Sequence, residues 1–161
     1  MIKHIKCDIF ESGANIVCHQ VNCQGVMGSG IAKQVREKYP HVYDLYKNFC
    51  DAHKHNPSVM LGHCLPYATW EEYNTNFNGI VNLFAQEKFG YDGKCYTDYD
   101  ALHQCLGYVN EHIKYFDDKT VAIPYLMGCH RGGGDWNVVY KMIEEVFDDD
   151  VEVLICEYNG G

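Results

Sequence analysis

Short apolar runs rich in β-branched residues alternate along this chain with segments in which apolar residues recur every three or four positions. The runs of strand length are residues 15–21, 58–65, 79–84, 120–126 and 151–156, with a weaker one at 2–6. The helical spacing lies within residues 31–39, 102–116 and 136–147. Because parallel strands need crossover helices and bury both of their faces, this alternation predicts an α/β fold. We expect three layers, α/β/α, with a mixed, mostly parallel central sheet.

The length and charge of the chain exclude several classes of protein. It has 161 residues and no internal repeat or linker, which predicts a single domain over 1–161. Its 13 Lys and Arg against 22 Asp and Glu give a formal charge of −9, which disfavours long nucleic acid as a partner. No apolar run approaches the roughly 18 residues of a membrane span, and the first ten residues lack the apolar core of a secretion signal. We therefore expect a soluble, cytoplasmic protein with no membrane partner.

The nine cysteines also point to the cytoplasm. Their number is odd and they include no C-x-x-C pair, which is typical of free thiols in a reducing compartment. Histidine and cysteine occur together at His53, His55, His63 and Cys64, but without the paired, tight spacing of a structural zinc site. We predict no metal site.

A first glycine loop, residues 24–30, lies between a predicted strand and a predicted helix. Glycine amides at a helix N-terminus favour phosphate, because the backbone can approach closely and the helix dipole is positive there. The loop is not a Walker A motif, since Gly30 precedes Ile31 and Ala32 where Lys and Ser or Thr are needed. It also lacks the dinucleotide fingerprint, because Lys33 stands where the third glycine belongs. Alone, the loop fits a plain tight turn equally well.

A second glycine loop, residues 128–136, repeats the arrangement and contains three consecutive glycines. Ordering three consecutive glycines has a large cost in backbone entropy. A loop that only connects two elements does not need such a run, so a further role is indicated. If the two preceding strands are neighbours, the loops flank one cleft and can hold a diphosphate. Asp135 fits two roles, the N-cap of the next helix or a carboxylate that orients water or binds a sugar hydroxyl.

These loops belong to a longer series of matching segments: CDIF, HQVNCQGVMGSGIAKQ, VNLFAQ, TDYDAL and IPYLMGCHRGGGDWNVVYKMIEEVF. In order and spacing they resemble the macrodomain family of ADP-ribose-binding α/β/α modules over nearly the whole chain. The likeness is strongest to the subgroup of terminal ADP-ribose glycohydrolases and ADP-ribose 1''-phosphate phosphatases. NLFAQ and GGGDW are similar to the phosphatase-like members.

The resemblance implies a binding site for ADP-ribose. Asp8 and Ile9 would hold adenine, and Asn22 would face the distal ribose. Asp8 can only accept hydrogen bonds and so suits an amino group, whereas Asn22 suits hydroxyls because it donates and accepts. Both residues also fit ordinary turn positions. The remaining implied ligand-binding residues are Met27, Gly28, Ser29, Gly30 and Ile31 in the first loop, and Gly128, Cys129, His130, Arg131, Gly132, Gly133 and Gly134 in the second.

The chain departs from the family in places that bear on catalysis. Cys7 replaces a glycine before the adenine aspartate, Gly25 replaces a second asparagine, and no acid lies between Gln24 and Ala32. Gln86 stands where the glycohydrolase subgroup has a lysine nucleophile, and glutamine cannot form a Schiff base.

The function we expect is therefore hydrolysis of an ADP-ribose derivative, most readily ADP-ribose 1''-phosphate, without a cofactor. Asp135, His130 and Asn22 are the catalytic candidates, and His130 fits a solvated loop position equally well. The alternatives are a non-catalytic reader of ADP-ribose and a hydrolase that removes ADP-ribose from protein or nucleic acid.

Overall fold

Six strands and five helices follow one another in a computed structural model that describes residues 1–90 and 92–158. The strands are β1 (Ile2–Lys6), β2 (Ile16–Asn22), β3 (Cys64–Ala68), β4 (Gly79–Gln86), β5 (Thr120–Pro124) and β6 (Glu152–Glu157). The helices are α1 (Gly30–Lys38), α2 (Pro40–Ala52), α3 (Trp70–Tyr73), α4 (Tyr99–Ile113) and α5 (Trp136–Val146). Residues 91 and 159–161 of the predicted domain lie outside the described residues.

All six strands belong to one sheet in the order β1-β6-β5-β2-β4-β3. Every neighbouring pair is parallel except β3 and β4, which are antiparallel. One face packs against α4 and α5 through Leu106 and Ile143, and the other against α1 and α2 through Val35 and Tyr46. The predicted three-layer fold with a mixed, mostly parallel sheet is confirmed.

The predicted strand over residues 58–65 is wrong over residues 58–63. Residues Pro57–Met60 form a 3-10 turn, and β3 begins only at Cys64. Pro57 favours a helical turn start because its φ is fixed and it has no N–H to offer a sheet. The apolar side chain of Met60 is fully buried in the core.

Helix α2 is a second difference, since the spacing of apolar residues does not predict it. Pro40 occupies its first turn, and its buried residues Val42, Tyr46 and Cys50 recur every four positions. Polar residues between them broke the apolar pattern. No helix among residues 1–90 and 92–158 is long and apolar enough to cross a membrane.

Candidate functional site

The two glycine loops lie at the same edge of the sheet. The first follows β2 and the second follows β5, and these two strands are parallel neighbours. The predicted arrangement of both loops around one cleft is confirmed, and the cleft has a volume of about 310 Å³. Its lining residues are His19, Gln20, Val21, Asn22, Val26, Gly28, Ser29, Gly30, Ile31, Ala32, Gln34, Gln86, Phe89, Pro124, Tyr125, Leu126, Met127, Gly128, His130, Arg131, Gly132 and Tyr158.

Asn22 shapes the first loop with its side chain. Its Oδ1 accepts from the Gln24 amide at 2.9 Å, and its Nδ2 donates to the Val26 carbonyl at 2.8 Å. The buried Tyr46 hydroxyl lies 2.8 Å from Asn22 Oδ1 and 2.7 Å from the Asn22 carbonyl oxygen. These contacts make Asn22 a positioning residue that fixes the course of the loop along the cleft wall.

The N-terminus of α1 opens directly onto this cleft. Ser29 is its N-cap in extended conformation and makes no side-chain capping bond, and the first turn contains no acidic residue. Gly30 begins the helix at φ +57°, a left-handed conformation that other residues rarely adopt. The amides of the first turn and the positive end of the dipole therefore favour an anion at this position.

The second loop is anchored to the segment that precedes α4. Thr97 Oγ1 donates to the Gly128 carbonyl at 2.7 Å, and the Tyr96 and Thr97 amides donate to the Gly132 carbonyl at 2.7 and 2.8 Å. A Cβ on Gly132 would collide with the Thr97 hydroxyl and with the Gly128 carbonyl. The sequence suggested that these glycines make room for a ligand. Close backbone packing accounts for part of this pattern.

A polar network crosses the floor of the cleft. Gln20 Nε2 donates to Gln86 Oε1 at 2.8 Å and to Thr97 Oγ1 at 2.9 Å, and Gln86 Nε2 donates to the Lys88 carbonyl at 2.9 Å. Gln86 is therefore a structural amide in this chain. Sequence reasoning missed Gln20, although two polar residues in the middle of a buried strand were a usable signal.

His19 is the second of those polar residues. Its side chain is buried, and its Nε2 lies 2.7 Å from Asn82 Oδ1, while Asn82 Nδ2 donates to the Leu65 carbonyl. The imidazole Nε2–H is thus the donor to Asn82, and Nδ1 has no hydrogen-bond partner among the described groups. Burial lowers the pKa of His19 to about 4, against a smaller opposing effect of the Asn82 bond. The imidazole is neutral at physiological pH.

The two ends of the cleft differ in chemistry. At the β6 end it is lined by Tyr158, which follows β6, and by Tyr125, which follows β5. At the β4 end it is lined by Phe89, which follows β4, and by the Gln20–Gln86 pair. The cleft thus extends across the ends of four neighbouring strands, β6, β5, β2 and β4. This cleft suits an elongated ligand with an aromatic ring at one end and hydrogen-bonding groups at the other.

The structure brings most of the predicted loop residues to the cleft. Asn22, Gly28, Ser29, Gly30, Ile31, Gly128, His130, Arg131 and Gly132 line it. The others lie outside its lining: Asp8, Ile9, Met27, Cys129, Gly133, Gly134 and Asp135.

Two of these outliers, Met27 and Asp8, have structural roles of their own. The Met27 side chain is fully buried in the core beneath α1 and α2, where an apolar thioether is best placed. Asp8 accepts from the Phe10 amide at 2.9 Å and pairs with Lys38 at 3.7 Å, just beyond β1. Because β1 lies beside β6, Asp8 is on the side of the sheet where the Tyr158 end of the cleft lies.

Asp135 is the N-cap of α5. Its Oδ1 accepts from the Asn137 amide at 2.9 Å, and its own amide donates to the Tyr99 hydroxyl at 2.9 Å. The residue is exposed at the start of the helix. The capping role is therefore the one that its contacts support.

Several solved structures with this architecture are macrodomains. The macrodomain of Mycobacterium tuberculosis DarG is 23% identical, with 99% of each chain covered and a TM-score of 0.80. Thermosipho africanus DarTG in complex with ADP-ribose is 20% identical over 97% of this chain and 41% of that one, with a TM-score of 0.78. The chain has the macrodomain fold.

Curated relatives share parts of the sequence, and no protein-family model matches the chain. An ADP-ribose 1''-phosphate phosphatase of Debaryomyces hansenii is 36% identical over 101 residues, 56% of each chain. A DNA ADP-ribosyl glycohydrolase of Mycobacterium tuberculosis is 26% identical over an alignment that spans all of this chain and 43% of the relative. The chain thus matches about half the length of these relatives.

Proposed function

We propose that this chain binds ADP-ribose in the cleft and hydrolyses ADP-ribose 1''-phosphate to ADP-ribose and inorganic phosphate. The observation that carries the proposal is the pair of glycine loops on neighbouring strands, with the N-terminus of α1 at the end of the first loop. Backbone amides on both walls suit a diphosphate, which needs several donors and no bulky side chains.

The ends of the cleft suit the remaining parts of this ligand. Adenine is a flat ring that packs well on aromatic side chains, and Tyr125 and Tyr158 line the β6 end. The distal ribose offers hydroxyls, and Gln20, whose Oε1 has no hydrogen-bond partner among the described groups, provides an amide acceptor at the β4 end. The volume of about 310 Å³ falls at the lower bound of ordinary small-molecule sites.

The proposed reaction is attack of water on the terminal phosphorus, with cleavage of the bond between phosphorus and the 1'' oxygen. The loop amides stabilise the developing charge, and a cleft-lining imidazole transfers a proton to or from the reacting oxygens. His130 lines the cleft and is exposed there, whereas the buried Nδ1 of His19 is out of contact with solvent. His130 is therefore our candidate for proton transfer.

Binding and product release test the proposal together. ADP-ribose should bind at micromolar strength, about −8 kcal/mol in calorimetry, and AMP and NAD should bind more weakly. Inorganic phosphate should be released from ADP-ribose 1''-phosphate. ADP-ribosylated DNA and ADP-ribosylated protein, assayed in parallel, test the glycohydrolase alternative that the Mycobacterium tuberculosis relative raises. Binding without any turnover would leave a reader of ADP-ribose, and no binding would refute the proposal.

A comparison of two variants tests the catalytic residues. His130→Gln should lower turnover of ADP-ribose 1''-phosphate by about 10²-fold, which is the usual effect of losing a positioned acid or base. Asp135→Asn is the matched control, because asparagine caps a helix as well as aspartate does and should leave turnover and melting temperature nearly unchanged. If steady-state kinetics show a larger loss of turnover for Asp135→Asn than for His130→Gln, Asp135 is the catalytic residue instead.

We also propose that the chain works in the cytoplasm on small or terminal ADP-ribose groups rather than on long nucleic acid. All nine cysteines are free in the structure, which suits a reducing compartment. The formal charge of −9 opposes a long polyanionic partner.

A further inference from the structure

Leu126 has a backbone conformation that leucine rarely adopts. Among residues 1–90 and 92–158, the non-glycine residues with positive φ are Leu126, at +62°, and Asn74, at +52°. Leu126 is the third residue of a four-residue turn, which is closed by a hydrogen bond of 3.1 Å from the Met127 amide to the Pro124 carbonyl. A turn with positive φ at its third residue favours glycine or asparagine there. Leucine destabilises it, because in the left-handed region the Cβ lies too close to the following carbonyl oxygen.

The chain has asparagine at its other position of this kind. Asn74 is exposed and follows α3 as its C-cap, where a short polar side chain tolerates the left-handed conformation. The backbone alone would therefore favour asparagine or glycine at position 126 as well.

Core packing does not account for this leucine either. Leu126 is half-buried and, among the described residues, is not one of those that pack against the apolar core on either face of the sheet. Its neighbours Tyr125 and Met127 both pack against the core beneath α4 and α5. Leu126 lines the cleft instead. Strained residues persist where the structure around them holds them in place, and they cluster at ligand sites.

We infer that Leu126 is a specificity residue for the nucleoside half of the ligand, and that its side chain packs against the carbon face of the ribose joined to adenine. This inference rests on the proposed function. Along the chain, Leu126 stands between Tyr125, at the aromatic end of the cleft, and the second glycine loop. In ADP-ribose, this ribose likewise stands between the base and the diphosphate. An apolar side chain gains free energy by covering the carbon-bound hydrogens of a sugar.

Leu126→Asn removes the apolar side chain and relieves the backbone at the same time. It should weaken binding of ADP-ribose and of AMP by the same factor, about tenfold, because both ligands contain the nucleoside. Its melting temperature should stay within about 3 °C of the wild type, since asparagine suits the left-handed turn and this offsets the lost apolar contact. Leu126→Met keeps an apolar side chain of similar volume and should bind both ligands within about threefold of the wild type. Calorimetry gives the affinities.

Asn74→Leu is the reciprocal control, because it introduces leucine at a left-handed position outside the cleft lining. It should lower the melting temperature by about 2 to 4 °C and leave both affinities unchanged. The inference is overturned, while the proposed function stands, if Leu126→Asn binds both ligands as the wild type does or loses affinity for ADP-ribose alone. A melting temperature of Leu126→Asn more than about 3 °C below the wild type also overturns it, because the leucine would then be needed by the fold. A wild-type chain that binds neither ligand would instead refute the proposed function.

Discussion

Replacing Gly30 by glutamate should abolish binding of ADP-ribose. The variant places a side chain and a negative charge at the first residue of α1, where the structure presents backbone amides to the cleft. The added carboxylate would occupy the anion site and repel the diphosphate from the helix N-terminus. We expect affinity to fall by about 10³-fold or more, from micromolar to millimolar, in calorimetry.

Gly13→Glu is a closely matched control for this variant. Gly13 also has positive φ, at +82°, and a Cβ on either glycine would meet no atom within 4 Å. Both substitutions therefore carry similar backbone strain and the same change of charge. Gly13 precedes β2, however, at the edge of the sheet opposite the cleft. If Gly30→Glu still binds ADP-ribose at wild-type strength, or if both variants lose binding equally, the first loop is not the phosphate site.

The fold follows from local patterns that the sequence displays openly. Strands β5 and β6 contain continuous apolar runs, and β2 and β4 are mostly apolar, because helices cover both faces of the sheet; such runs are visible without a structure. The two glycine loops are visible for a similar reason, since each lies between a clear strand pattern and a clear helix pattern.

The interior of the site depends on contacts between distant segments, which no local pattern contains. Gln20 meets Gln86 and Thr97 only because β2 and β4 are neighbours and the segment before α4 folds back over them. The same segment explains why Gly132 must be glycine. Arg131 contacts the ring of Phe89, which follows a different strand. Its place in the cleft could therefore not be predicted from the GCHRGGGDW motif alone.

His19 illustrates a further limit of the sequence. As a lone histidine in a strand, it gave no indication of its charge state, which depends on its surroundings. The structure buries the ring and assigns its Nε2–H to Asn82 Oδ1. A second proton would have to enter at Nδ1, which has no acceptor among the described groups. Protonation of the folded chain is therefore unfavourable, and the pKa is lowered to about 4 from 6.5.

This lowered pKa predicts an acid-sensitive fold. The unfolded chain takes up a proton at His19 as the pH falls through about 6.5, but the folded chain resists protonation until about pH 4. The contribution of His19 to stability is thus complete above pH 6.5 and is lost progressively as the pH falls towards 4. At about 1.4 kcal/mol per pKa unit, the loss amounts to about 3 kcal/mol.

The comparison that isolates this effect is the wild type against His19→Gln, followed by urea unfolding from about pH 7.5 down to pH 4. Glutamine does not titrate in this range, and its amide nitrogen can donate to Asn82 Oδ1 as His19 Nε2 does. The carboxylates whose pKa values the fold lowers, such as Asp92 and Asp150, are present in both proteins and cancel in the difference. We expect the wild type to lose about 3 kcal/mol more than the variant across this range. Parallel curves for the two proteins would mean that His19 is protonated as readily in the folded chain as in the unfolded one, and would contradict the buried, neutral imidazole.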